Sequence, residues 1–247
     1  MEISCHNYPM KLVENLLYKT GASWSSSRPK TTLDRYFNRK ADVRLKTEVT
    51  LGHEPLSKKT LQILAGCPAG GTVKVSVRNG AIVLASQHEK WIDNENNDTN
   101  VVWLERRSIG YVLYLDYIWF SEACPKAFGA VALLRMAQLA QNLGFVQLVL
   151  LAAGGTGVKG AQWTQPFWGF ETWPRLGFDT DLYPEILDLI RHEPHLVGMT
   201  KVSQIIAADL PWWKAKGDGA EMSFDLTSNS ASWDTLYNFI SGRGILA

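Results

Sequence analysis

At Pro125 the hydrophobic pattern of this chain changes its period. Before it, Tyr111–Phe120 reads as a strand. After it, Ala130, Leu133, Leu134, Ala137, Ala140 and Leu143 recur about every 3.6 residues, with Arg135, Gln138 and Asn142 on the other side. Gly144 supplies a helix stop. Val146–Leu151 then runs as an unbroken apolar stretch, the pattern of a strand covered on both faces. A strand, a helix of this length and a second buried strand make a β-α-β crossover, which is parallel and right-handed.

The segments around this unit fit one sheet. Val73, Val75 and Val77 alternate with polar neighbours, Asn79-Gly80 follows, and Ala81–Ser86 returns. An Asn-Gly pair between two strand-like runs predicts a hairpin, because both central positions of its turn need positive φ. Val101–Glu105 and Tyr111–Phe120 read as two further strands joined at Ser108-Ile109-Gly110, with an Asn-rich loop (93–100) before them. Ser57 is placed to cap a short helix through Leu64, stopped at Gly66. Pro184–His192 and Lys201–Trp213 read as helices, Glu221–Leu226 as a strand and Ser232–Ile240 as a closing helix. Leu12, Val13, Leu16 and Leu17 have helical spacing ahead of the Ser-rich break at Ser23–Arg28.

Bulk properties exclude several classes. A hydrophobic fraction of 46% and a charged fraction of 20% belong to a globular chain, not a disordered one. Lys+Arg at 25 against Asp+Glu at 24 gives a net charge of +1, so no broad field for nucleic acid or anionic membrane is expected. Cys5, Cys67 and Cys124 form neither a disulfide framework nor a paired metal signature, which points to a reducing compartment. No apolar run is long enough to span a bilayer. A cytoplasmic protein with no membrane role is expected. The basic, aromatic stretch Lys30–Lys46 reads as a solvated helix face, with a phosphate-contacting surface as the alternative. The 10 tryptophans fit either core packing or an aromatic-lined groove.

Three segments in order resemble the GNAT acyltransferase superfamily. They are Tyr114-Leu115-Asp116-Tyr117-Ile118-Trp119-Phe120, then Pro125–Leu134 with Lys126-x-x-Gly129-Ala130-Val131, then Trp173-Pro174-Arg175-Leu176-Gly177-Phe178. The resemblance covers about residues 72–180 and implies an α/β (α+β) fold. That fold is a GNAT-like mixed sheet with a central β-α-β crossover, and extra helices at the N-terminus and after the Leu-Gly-Phe motif. The whole of 1–247 is expected to be one domain, with an N-terminal extension (1–71) and C-terminal helices and strand (181–247).

The resemblance also implies acetyl-CoA, or another acyl-CoA, as cofactor. Small residues at the strand–helix loop let backbone N–H groups approach a pyrophosphate, aided by the helix N-terminus. By resemblance, Lys126, Phe128, Gly129 and Ala130 would hold that anion, and the backbone of Trp119 and Phe120 would meet the pantetheine arm. In either register of the loop motif one position departs from the family pattern: Val131 takes a small-residue slot, or Pro125 takes the cation's. Proton removal from an acceptor amine falls to Glu122 first, then Asp116, with Glu105 one strand earlier. The family's usual acid, a Tyr four residues before the motif Gly, is Trp173 here, which has no proton to give. Tyr117, Tyr183 or solvent is left as substitute.

Other signals are weaker. His192-Glu193-Pro194-His195 reads as a surface turn rather than a metal site. Cys124 beside Pro125 is a small core residue or, less readily, a nucleophile activated by a helix end. Gly154–Gly160 reads as a mobile loop bordering the acceptor site. Two functions follow. One is an acyl-CoA-dependent N-acyltransferase acting on a small-molecule, protein or tRNA-linked amine. The other is a GNAT-like binding or regulatory module without turnover, as part of a toxin or defence system.

Overall fold

The structure is a computed structural model that describes residues 36–92, 99–156 and 167–245. Thr32–Ala247 form one compact unit. In chain order its elements are β1 (Asp42–Arg44), the small pair β2 (Thr50–Leu51) and β3 (Glu54–Pro55), α1 (Lys58–Leu64), β4 (Thr72–Arg78) and β5 (Ala81–Gln87). Next come β6 (Asn100–Arg107), β7 (Gly110–Tyr117), α2 (Phe128–Asn142), β8 (Phe145–Gly155) and α3 (Gly169–Thr172), which runs into a 3₁₀ turn at Pro174–Leu176. The chain closes with α4 (Pro184–Ile190), α5 (Val202–Lys216), β9 (Asp218–Asp225) and α6 (Ala231–Gly242).

Seven strands form one mixed sheet in the order β1-β4-β5-β6-β7-β8-β9. The pairs β1–β4 and β7–β8 are parallel and the others antiparallel. This α+β architecture, with the β7-α2-β8 crossover next to the β9 edge rather than at the centre of the sheet, is consistent with a GNAT-like arrangement. The expected hairpin is present: Asn79 and Gly80 take φ +51° and +79°, and Arg78 pairs with Ala81 across the turn. Ser57 caps α1 by accepting from the Thr60 N–H at 3.1 Å. Gly66, at φ +59°, turns the chain away after it.

Side chains of alternate parity make the core. Leu104, Leu113, Leu148 and Phe224 stand in one row across four strands, and all are buried. Against them packs α2, whose Ala130, Leu133, Leu134, Ala137 and Ala140 are buried as the periodicity predicts. Val131, Ala132 and Met136 are buried as well, because α1 covers a second side of the helix. A Cβ on Gly66 would sit 3.1 Å from the Met136 sulfur, so the two helices meet closely there.

Several expectations need correction. The basic segment is not a helix face over its described part: residues 36–41 turn and lead into β1. Its aromatics point inward, with Phe37 buried and Tyr36 against Trp91 and Phe128, while Arg39 and Arg44 are exposed. β7 ends at Tyr117, not Phe120. β8 is not covered throughout, since Val146 and Leu151 are exposed, and it runs on to Gly155. Gly154 and Gly155 are therefore strand residues, not part of a mobile loop. A Cβ on Gly154 would strike the Phe167 carbonyl, and one on Gly155 would strike Asp218. α5 is broken at Asp209 (φ −152°, ψ 79°) ahead of Pro211, where the Asp209 carboxylate accepts from the Trp212 N–H at 2.8 Å. Residues 1–35, the tip of the Asn-rich loop (93–98) and 157–166 lie outside the described residues. With them go the Leu12–Leu17 pattern, Arg35 and Trp163. No helix among the described residues is long and apolar enough to cross a membrane.

Candidate functional site

β7 and β8 run side by side from Tyr111–Phe145 to Leu115–Leu150 and then part. Beyond that point β7 keeps only β6, with Tyr117 opposite Val101, whereas β8 continues with β9 as far as Gly155–Asp218. The facing edges of the two strands are left without each other as partners. A cleft of about 890 Å³ opens in this wedge. Leu115 and Leu150, from the core face, line it together with Asp116 and Leu151 from the opposite face, so the gap runs through the sheet.

α2 forms one wall, with Gly129, Ala130, Leu133 and Met136 lining the cleft. Its N-cap, Ala127, offers no side-chain acceptor, and its first turn holds no acidic residue. The Phe128 N–H donates to the Pro125 carbonyl at 2.8 Å and the Val131 N–H to Ala127 at 3.1 Å. The N–H groups of Gly129 and Ala130 lie between these, too early in the helix to find an intrahelical acceptor. Lys126 stands beside them on the cleft. Trp168, Thr172 and Trp173 close another side, and Phe239, Arg243 and Ile245 bring the end of α6 to the rim. The Arg243 guanidinium sits 4.3 Å from the Phe239 ring centroid, a cation–π contact that holds a second positive charge at the mouth.

The parted end of β7 is held from beneath. Asn100 is buried, and its side-chain oxygen accepts from the Trp119 N–H at 2.6 Å. The Ser121 N–H donates to the Trp91 carbonyl at 3.0 Å and its hydroxyl to the Lys90 carbonyl at 2.5 Å. That supporting turn is itself closed by His88, whose Nδ1 accepts from the Lys90 and Trp91 N–H groups, each at 3.2 Å.

Of the residues singled out in the sequence, Asp116, Tyr117, Trp119, Phe120, Lys126, Gly129 and Ala130 come together on the cleft. Asp116 is the one carboxylate among the described lining residues, and Trp103 Nε1 donates to it at 3.0 Å. Phe128 is elsewhere. Its side chain is fully buried in an aromatic cluster with Tyr36, Phe37, Trp91 and Phe120. Glu122 occupies an exposed turn outside the lining. Glu105 is engaged with Arg107 at 3.1 Å on the opposite sheet face. Tyr183 is away from the cleft, and burial raises its hydroxyl pKa. Burial likewise pushes the Cys124 thiol up to about 11, and α2 begins only at Phe128, which overturns the activated-nucleophile alternative. His195 Nε2 lies 3.0 Å from an Asp209 carboxylate oxygen, within a surface turn.

The tryptophans divide between both roles. Trp213 and Trp233 are core, while Trp119, Trp168 and Trp173 line the cleft. Arg243 was not identified from sequence, because it reaches the cleft through long-range packing. Trp168 belongs to the tryptophans for which an aromatic-lined groove was the alternative, and Leu151 to the end of the strand expected to border the site.

No protein-family model, no curated protein and no solved structure matches the chain.

Proposed function

We propose that this protein is an acyl-CoA-dependent N-acyltransferase of GNAT type, with its donor site in the wedge between β7 and β8. The observation that carries the reading is the parting of those strands after Leu115 and Leu150, beside an uncapped α2 N-terminus. Backbone groups on the parted strand edges, short of Gly154 where β8 bridges to Trp168, suit the amides of a pantetheine arm, much as an added strand would use them. The N–H groups of Gly129 and Ala130, with the Lys126 ammonium, suit a pyrophosphate. The fit is also one of size, since the cleft lies in the range of ligand pockets.

Bound acyl-CoA would supply a thioester carbonyl open to attack by an amine. Asp116, oriented by Trp103, is the group placed to take the proton from that amine. Tyr117 follows it at the β-bulge of β7, also lines the wedge, and is the hydroxyl we assign to return a proton. Trp173 lines the cleft; it stands at the sequence position where the resemblance implies an acid, and it has no proton to give. Acetyl-CoA is the first donor to test, and the acceptor is a small-molecule, protein or tRNA-linked amine.

Trp173 also favours a second reading: a GNAT-like module that binds acyl-CoA without turnover and acts as a regulator, as in toxin or defence systems. Release of free CoA thiol from acetyl-CoA separates the two. The amine panel would be a polyamine, an aminoglycoside and a lysine-containing peptide. The enzyme reading expects amine-dependent release that falls about 100-fold or more in Asp116→Asn, with acetyl-CoA affinity retained. Tight acetyl-CoA binding with no release from any amine would support the module instead.

A further inference from the structure

We infer that the acyl group this cleft accepts is an apolar chain longer than acetyl. The inference rests on the donor-site reading above and concerns what lies beyond the thioester. Polarity changes along α2. Lys126 and the first-turn N–H groups of Gly129 and Ala130, which have no intrahelical acceptor, stand at one end, and Leu133 and Met136 lie further along the same helix. Gly129 to Met136 spans about 10 Å of helix axis. Leu115 and Leu150, at the apex where the strands part, continue the apolar wall. Small residues, Ala65 and Ala132, leave that end open rather than filled.

Beside Arg243, the rest of the mouth is apolar as well. Trp119, Leu151 and Trp168 are each more than two-fifths exposed, and all three belong to the cleft. Large apolar groups left in water around a groove mark a surface that a ligand covers. An acetyl group ends before it can reach most of them. A ligand with an anionic head and an apolar tail matches the whole length of the wall, and a longer acyl-CoA has that form.

Calorimetric titration with CoA, acetyl-CoA, hexanoyl-CoA and octanoyl-CoA tests this on the full chain. Each buried methylene strengthens binding by about fourfold at most. Octanoyl-CoA is therefore expected to bind at least about tenfold tighter than acetyl-CoA, and the gain should shrink in Leu151→Lys. Octanoate and octylamine are titrated alongside, to distinguish an apolar chain brought by the donor from one brought by a free acid or by the acceptor. Affinity that stays flat or falls with chain length, while CoA itself binds, overturns the inference and leaves the donor-site reading standing. So does octylamine or octanoate binding as tightly as octanoyl-CoA. Failure of CoA and of every acyl-CoA to bind overturns both.

Discussion

Phe128 shows how one residue can serve the site without touching a ligand. Its ring lies 5.3–5.4 Å from those of Phe120, Trp91 and Tyr36, and stacks on Phe37 at 6.0 Å. It thereby ties the start of α2 to the strand end and to the segment before β1. Phe128→Ala is expected to cost about 3–5 kcal/mol in denaturant unfolding, because a fully buried ring leaves a cavity lined by rigid neighbours. A loss below about 1 kcal/mol would show that the cluster collapses to fill the space. His88 makes a second residue-scale prediction. Burial lowers its pKa from the ordinary 6.5 by more than its hydrogen bond to Ala69 raises it. The neutral ring is the folded form, and its Nδ1 must stay an acceptor for Lys90 and Trp91. As pH falls below 6.5 the unfolded chain takes up the proton first, so this stability is present above 6.5 and is lost toward the lowered pKa. Melting temperatures at about pH 7.5 and pH 5.5 should therefore differ more for the wild type than for His88→Gln.

At the scale of elements, the crossover and the meander were legible because their signals are local. Asn79-Gly80 specifies its turn through φ, and the α2 repeat specifies a buried face through spacing. The parting of β7 and β8 is not a local property. β8 can leave β7 because β9, far later in the chain, pairs with it out to Gly155. For the same reason Gly154-Gly155 read as a loop: their φ values of +102° and +120° are unusual for a strand, and the strand survives there because only glycine fits against Phe167 and Asp218. Tyr111–Phe120 read as one long strand, but Trp119 hydrogen-bonds the Asn100 side chain rather than a neighbouring strand's backbone. Asn100→Ala should cost about 1 kcal/mol, the net worth of the part-buried hydrogen bond it removes. It should also weaken acyl-CoA binding through the loosened strand end. Unchanged stability would mean that Trp119 finds another acceptor at no cost.

At the scale of the whole molecule, the cleft gathers one wall from each part of the fold: β7 and β8, α2, α3 and the end of α6. Seven of the nine residues selected for the site from sequence lie on it, all from β7, its loop and the start of α2. Phe128 turned inward and Glu122 outward, because loop conformation decides direction where no period does. The walls from α3 and α6 were invisible in sequence, since helical pattern locates an element and not the surface it docks on. The central claim is that the wedge and the α2 N-terminus bind acyl-CoA. Calorimetric titration of acetyl-CoA and CoA into the wild type and Gly129→Asp tests it most directly. A Cβ at Gly129 would meet only the Phe120 ring, at 3.4 Å, and an acidic residue in a first helical turn favours the helix, so the variant should fold. Micromolar binding by the wild type, abolished in folded Gly129→Asp, is the predicted result. No binding to the wild type at millimolar ligand, or equal binding by both proteins, would contradict it.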